Sequence, residues 1–411
     1  MRPLHICLVA TLVLAACSGG GSSGAAGGGG SEAALGGPIE GLPASALAAF
    51  ERGRALMSHR FTPSEGLGPF YNATSCAACH EVPTTGGSAP LYRNFFFAAQ
   101  GFPPFQGPVA TAPAIPSIVL PNFQCPPFNL PRPTIPPNSV LFPVVTPQRN
   151  APPMFGIGLF EFVNDDTITG NADPDDANGD GISGRFNRTP TFDIGRFGYK
   201  CQANNIEAFI RGAAQNQMGM TTDPVAGNAA IVSLSTRFLP QVGGGQLSPT
   251  TDNDGIPDPE ISINDFADII AFCRFLKPPE RLPDTPESIA GEALFSSIGC
   301  TACHLPELSS SIGPLAAHTD LLIHDLGPAL ADGVSQGLPQ PSVLSGTTEN
   351  EFRTQPLWGL RHHAPFLHDG RADTIEQAIL AHAGEADAAR LAYEALTQVE
   401  KDNIIAFLEI L

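Results

Sequence analysis

The chain has 411 residues, of which 42% are hydrophobic and 15% charged, with a formal net charge of −19. That length holds two or more hydrophobic cores. The acidity argues against nucleic acid as a partner and suits basic or neutral ones. Residues 1–17 carry an early Arg2, an apolar run and then small residues. This pattern is a secretory signal, too short for an ordinary membrane span.

The run ends in Leu14-Ala15-Ala16-Cys17. It looks like a bacterial lipoprotein signal, with Cys17 as the lipidated residue. Ser18 at the next position implies the outer membrane by that family's sorting rule. A plain signal peptide with a chance cysteine is the bland alternative. Residues 18–43 are rich in Gly, Ser and Ala and read as a flexible tether. The expected location is the periplasmic side of the cell envelope.

The expected fold is mainly α, with much irregular structure. Helices are expected over 44–57, 203–217, 262–276, 287–298, 374–382 and 397–411. The last carries Val399, Ile404, Ile405, Leu408 and Leu411 on one broad stripe. Residues 101–153 are crowded with proline and are expected to wrap the surface without regular helix. Lys277-Pro278-Pro279-Glu280 marks a boundary. It separates an N-terminal domain, 44–280, from a C-terminal one, 281–411.

Two short motifs carry chemistry. Cys76-Ala77-Ala78-Cys79-His80 recurs as Cys300-Thr301-Ala302-Cys303-His304. A redox dithiol does not need the trailing histidine, and a zinc site made of four thiolates would leave both histidines over. The pattern reads most directly as covalent haem attachment, the thiols on the haem vinyls and the histidine as proximal iron ligand. Zinc-bound and dithiol readings survive only if no haem is attached. A helix is expected just before each motif, as at the start of a cytochrome c domain. The chain is therefore expected to hold two tandem cytochrome c-like haem domains, with 101–153 as an insertion in the first.

An internal repeat supports that arrangement. The segment from Tyr199 aligns with the segment from His368. Ala203 falls on Ala372, Ile206 on Ile375 and Glu207 on Glu376.

From about residue 50 to the C-terminus the chain resembles the bacterial di-haem oxidoreductase family, whose members carry the names peroxidase and thiol oxidoreductase. That family is related to di-haem cytochrome c peroxidase and to MauG. The stretches carrying the resemblance are GLGPFYNATSCAACH, GIGLFEF, GDGISGRFN, GRFGYK, MGMT, GCTACH, TDLLIHDLG, FRTQPLWGL, LHDGRADTIEQAILAHAGEA and IIAFLEIL. Only the proline-rich insertion lacks a counterpart.

The resemblance implies site residues. Eight positions after the Thr of the HDG motif, relatives carry a distal iron ligand. Counting from Thr374 lands on His382, which implies a bis-histidine C-terminal haem with His304. A surface histidine near a helix end is the plainer alternative. The same count in the first copy lands on Ala213, so the N-terminal haem of His80 is expected to keep an open face. Gln217 stands where peroxidases carry a glutamate; it can orient a peroxide but cannot shuttle a proton. Met218 or Met220 is a sixth-ligand candidate, or core. Tyr199 and Trp358 are candidates for an electron bridge, or core. His368, Asp369 and Arg371 are expected to bond haem propionates or orient nearby groups. His324 and His59 are reserve ligands.

Asp176, Asn178 and Asp180 alternate before Gly181, and Asp252, Asp254 and Asp258 are spaced similarly. Alternating oxygens around a glycine suit calcium, which the relatives carry between the haems; an Asx-rich turn is the alternative. Of nine cysteines, Cys125, Cys201 and Cys273 remain unassigned, and Cys201–Cys273 is the favoured disulfide. Two functions stay open. One is a di-haem oxidoreductase with peroxidase-like chemistry at the N-terminal iron, fed by a small periplasmic redox partner. The other is a non-catalytic electron-transfer lipoprotein.

Overall fold

The helices, in chain order, are α1 (Ala44–Ser58), α2 (Asp165–Gly170), α3 (Ile206–Ala213), α4 (Ile263–Phe275), α5 (Pro286–Ser297), α6 (Ile375–Leu380), α7 (Asp387–Glu394) and α8 (Gln398–Ile410). The strands are short: β1 (Phe70–Tyr71), β2 (Phe95–Gln100), β3 (Ser117–Leu120), β4 (Phe123–Gln124), β5 (Val144–Val145), β6 (Gln148–Arg149), β7 (Ile323–Asp325) and β8 (Glu351–Arg353). They belong to a computed structural model that describes residues 35–100, 117–130, 132, 135, 144–189, 192–222, 254–337 and 346–411. Cys17, most of the 18–43 tether, much of the proline-rich stretch and Asp252 lie outside the described residues. Among the described residues no helix is long and apolar enough to cross a membrane.

Two helix crossings organise the described chain. α1 packs on α4, and α5 packs on α8. Each contact is closer than a side chain allows. A Cβ on Gly53 would sit 1.9 Å from the Asp268 carbonyl oxygen, and one on Gly291 would sit 1.9 Å from that of Asn403. An aromatic pair flanks each crossing, Phe50–Phe272 at 5.0 Å and Phe295–Phe407 at 5.4 Å. The helices start where their caps dictate. Ser262 accepts from the Asp265 amide, and Thr285 and Thr397 form capping boxes with Ser288 and Glu400. A large apolar cluster runs from Phe50 to Leu322 and a smaller one from Phe295 to Leu411.

The internal repeat has the same backbone in both copies. Phe197 and Ala203 exchange amide–carbonyl bonds, as do Phe366 and Ala372. Gly198 and Leu367 take φ of 84° and 71°, and Cys201 and Gly370 take 48° and 74°. Asn205 then caps α3 and Thr374 caps α6, each accepting from an amide three residues on.

Several elements differ from expectation. The 203–217 helix is α only to Ala213; a π-helical turn, Ala214–Met218, follows and ends at Gly219, whose φ is +72°. α6 stops at Leu380, and α2 and α7 were not anticipated. On α8 the buried face is Ile404, Phe407, Leu408 and Ile410. Val399 is 69% exposed, because it lies in the first turn, before the crossing at Asn403. Around the proline-rich stretch an antiparallel ladder forms, with β3, β5 and β6 all pairing with β2. Its paired segments fall between the prolines and carry residues such as Val119, Val144 and Val145 that suit a strand.

Candidate functional site

α5 delivers the second Cys-x-x-Cys-His motif directly. Gly299, with φ of +94°, ends the helix, and Cys300–Ala302 form a single tight turn. The ring of His304 is held by its Nδ1, 2.9 Å from the His318 carbonyl oxygen. A carbonyl can only accept, so Nδ1 carries the proton and Nε2 keeps its lone pair. His318 itself sits at φ +49°, a left-handed conformation that costs about 1–2 kcal/mol and aims that carbonyl. Burial lowers the His304 pKa to about 4, outweighing its bond to the His318 carbonyl, with the charge effect of His382 acting in the same direction as burial. His382 is thus close enough to act on His304 through its charge. Its own Nδ1 lies 2.7 Å from the Ala378 carbonyl oxygen, and burial lowers its pKa as well. Each of these two neutral imidazoles thus keeps a bare Nε2.

The first motif is tied to α1 across an intervening loop, the Ala77 amide bonding the Met57 carbonyl at 2.8 Å. His80 Nδ1 lies 3.2 Å from the Gly87 carbonyl oxygen, and burial lowers the ring's pKa. Cys76 is pushed up to about 12 by burial. Neither motif closes a disulfide. The counterpart of His382 in this copy is Ala213, an exposed residue. The π turn beyond it holds Gln217, whose side-chain oxygen accepts from Asn72 Nδ2 at 3.0 Å and whose carbonyl accepts from the Asn72 and Ala73 amides. Met218 and Met220 are buried in the larger cluster.

Residues 139–411 match the protein family described as "Di-haem oxidoreductase, putative peroxidase". The chain belongs to this di-haem oxidoreductase family. No curated protein sequence matches it. Among solved structures it is similar to a hydrazine synthase from Kuenenia stuttgartiensis, 22% identical over 39% of this chain and 58% of that one, with a TM-score of 0.29. It is also similar to a MauG-like protein associated with microbial copper homeostasis, 17% identical over 69% of this chain and 94% of that one, with a TM-score of 0.31. The chain thus spans little more than half of the hydrazine synthase chain.

The histidine donors of this family member fit the haem that the family's description names. Iron-ligating histidines characteristically donate their other ring N–H to a carbonyl, which fixes tautomer and orientation. His80, His304 and His382 all do so, each with a backbone oxygen.

The remaining candidates fall in several places. Tyr199 is half-buried, its hydroxyl donating to the Asn150 carbonyl at 3.1 Å. Its ring contacts His368, which stacks on Phe352 at 4.4 Å. Burial and the nearby Arg149, Arg371 and Lys200 lower the His368 pKa to about 2. Arg371 is held by Asp369 and the Ala329 carbonyl. Trp358 stacks on Phe160 at 5.5 Å. Beside Tyr199, a network that sequence patterns do not reveal buries Lys200, Arg149 and Asp332 together. Burial lowers the Lys200 pKa to about 8 despite Asp332, and three backbone carbonyls accept from its ammonium.

The two reserve ligands are committed elsewhere. His59 is an exposed partner of Glu65. His324 has both nitrogens engaged, Nε2 with Asp320 at 2.8 Å and Nδ1 with Glu385 at 2.7 Å. The oxygens of Asp176, Asn178 and Asp180 accept from amides of their own turn, at Gly181, Asp180 and Ile182. Asp254 accepts from the Ile256 amide, and Asp258 from the Thr221 hydroxyl. The favoured Cys201–Cys273 disulfide is not formed. Cys201 points at the Leu321 carbonyl, while Cys273 lies near Cys76, close enough for that thiol's charge to raise its pKa. Cys125 donates to the Leu67 carbonyl.

Proposed function

We propose that this family member carries two covalent haems c, one on Cys76 and Cys79 with His80 as proximal ligand and one on Cys300 and Cys303 with His304. His382 is the second ligand of the C-terminal iron, and the N-terminal iron keeps an open face where the repeat supplies only Ala213. The observation that carries this reading is the pair His304 and His382. Both are half-buried, both are turned by a backbone carbonyl so that Nε2 is bare, and His382 is among the groups whose charge acts on His304. When bound, haem supplies one-electron chemistry and, at an open iron, a place for peroxide. The chain's residues hold, orient and insulate it.

Peroxidase-like turnover at the N-terminal side is the enzymatic form of this reading. Gln217 limits it, since an amide orients a substrate but moves no proton. Its side-chain oxygen is also occupied by Asn72. That observation favours a second reading, in which Met218 or Met220 closes the iron and the protein only relays electrons. Spectra decide between them. High-spin bands in the oxidised or half-reduced protein support an open iron; two low-spin haems at every redox level overturn it.

The domain plan that goes with this function is a signal over 1–17, a tether over 18–43, and haem domains over 44–280 and 281–411. The two crossings, each next to its own motif, support that division. Lipidation of Cys17 would place the protein on the periplasmic side of the envelope, within reach of a small soluble redox partner. Cys17→Ala should then release it from membranes; a variant that stays bound removes the anchor.

A further inference from the structure

Cys303, Asp320 and His324 bring a thiol, a carboxylate and an imidazole within 4.8 Å of one another. That spacing would suit a metal ion, but the imidazole has nothing to give one. Asp320 holds its Nε2 and Glu385 its Nδ1, so the ring lies between two carboxylates with no lone pair free. His324 and Asp320 are buried and Glu385 nearly so, with side-chain exposures of 4%, 3% and 11%. Opposed carboxylates hold such an imidazole in its charged form, despite burial.

Glu385 gathers more than His324. It also accepts from the Ser183 amide at 3.1 Å, the Ser183 hydroxyl at 3.0 Å and the Asp325 amide of β7 at 3.1 Å. Two glycines permit this convergence. A Cβ on Gly184 would lie 2.3 Å from His324 Cε1, and one on Gly384 would lie 2.3 Å from the Asp325 carbonyl oxygen. Glu385 follows His382 by three residues, while His324 Nδ1 lies 3.7 Å from Cys303 Sγ, next to His304. Charged hydrogen bonds from Asp320 through His324 to Glu385, with the 3.7 Å contact of His324 on the Cys303 sulfur, therefore join the segment bearing one candidate iron ligand to the segment bearing the other.

We propose that Asp320, His324 and Glu385 form a positioning clamp that sets His382 at its distance from His304, and that they are not a second metal site. The inference rests on the reading of His382 as an iron ligand. Without the clamp, the turn after His382 is no longer tied to β7 or to Ser183, and water or an added base can compete for the iron.

The test uses the two-haem protein, with haem counted by pyridine haemochrome and imidazole as the probe. Glu385→Ala and His324→Gln should each give the C-terminal haem a high-spin component. They should admit imidazole at concentrations about 10–100-fold lower than the wild type requires, the range for loss of an outer-shell partner. The N-terminal haem should be unchanged. Ser183→Ala, which keeps every charge, should shift the same way by less, and it decides the matter if the other variants do not accumulate with two haems. Wild-type spectra and wild-type imidazole resistance in these variants, alongside a changed spectrum in His382→Ala, would overturn the clamp alone. An unchanged spectrum in His382→Ala itself would overturn the ligand assignment, and the clamp with it.

Discussion

Tyr199 and His368 occupy the same position in the two copies of the internal repeat and meet edge to face, with ring centroids 6.4 Å apart. Their neighbours diverge. Lys200 stands where the second copy has Asp369, and Cys201 where it has Gly370. The backbone turn is common to both, and the chemistry is not. Asn150 links the two, its carbonyl accepting from the Tyr199 hydroxyl and its amide bonding the His368 carbonyl.

If the Tyr199 ring carries electrons between the haems, Tyr199→Phe should preserve the transfer rate while Tyr199→Leu slows it. Loss of the hydroxyl alone should cost about 1 kcal/mol of stability, read as a small shift in the unfolding midpoint. Equal rates in the two variants, measured after rapid reduction of one haem, would show that the ring only fills space.

Haem stoichiometry tests the motifs separately. The Cys300→Ala, Cys303→Ala double variant should keep one covalent haem, on the peptide containing Cys76 and Cys79. Peptide mass reads this directly, and two retained haems would remove the second site.

The helix crossings predict a matched pair of defects. Gly53→Ala and Gly291→Ala each force a methyl group against a carbonyl oxygen of the facing helix. Overpacking of this kind costs about 1–3 kcal/mol. Each variant should lower the melting temperature, and a Gly53→Ala protein as stable as the wild type would mean that α1 is free to slide over α4.

Much of this was legible in the sequence because it is local. The two motifs marked the candidate haem donors, and helices precede both of them as expected, α1 and α5. The match between the segments at Tyr199 and His368 marked a repeat, and the structure gives both copies the same turn and the same cap position. What escaped was long-range. Glu385 lies far from Asp320 in the chain, and the three residues between Asp320 and His324 carry no helical pattern to suggest that the two side chains meet. His324 therefore read as a spare ligand. Lys200 carries no local signal of burial, yet Asp332 and Phe352 close over it. Val399 fitted an apolar stripe, but periodicity does not say where a crossing begins.

The charge on His324 should leave a mark on stability against pH. Burial alone would lower its pKa, but the bonds to Asp320, Cys303 and Glu385 outweigh burial and raise it well above 6.5. Glu385 responds in the opposite sense: burial would raise it, but the bond and charge of His324 bring it below 4.5. For a histidine with a raised folded pKa, the folded state holds the extra proton. Its stabilisation is complete below the unfolded value and fades as the pH climbs through the folded one. For a carboxylate with a lowered pKa, stabilisation is complete above the unfolded value and fades in acid. The pair therefore stabilises most between 4.5 and 6.5, the two unperturbed values. Glu385→Gln should cost about 1–3 kcal/mol in that window, as for a lost hydrogen bond to a charged group. The deficit should narrow as the pH rises through the folded pKa of His324, and again as acid neutralises Glu385. Melting curves of the two proteins across that range read it. A gap that stays constant with pH would mean that His324 is neutral in the folded protein and that no ion pair holds the turn after His382.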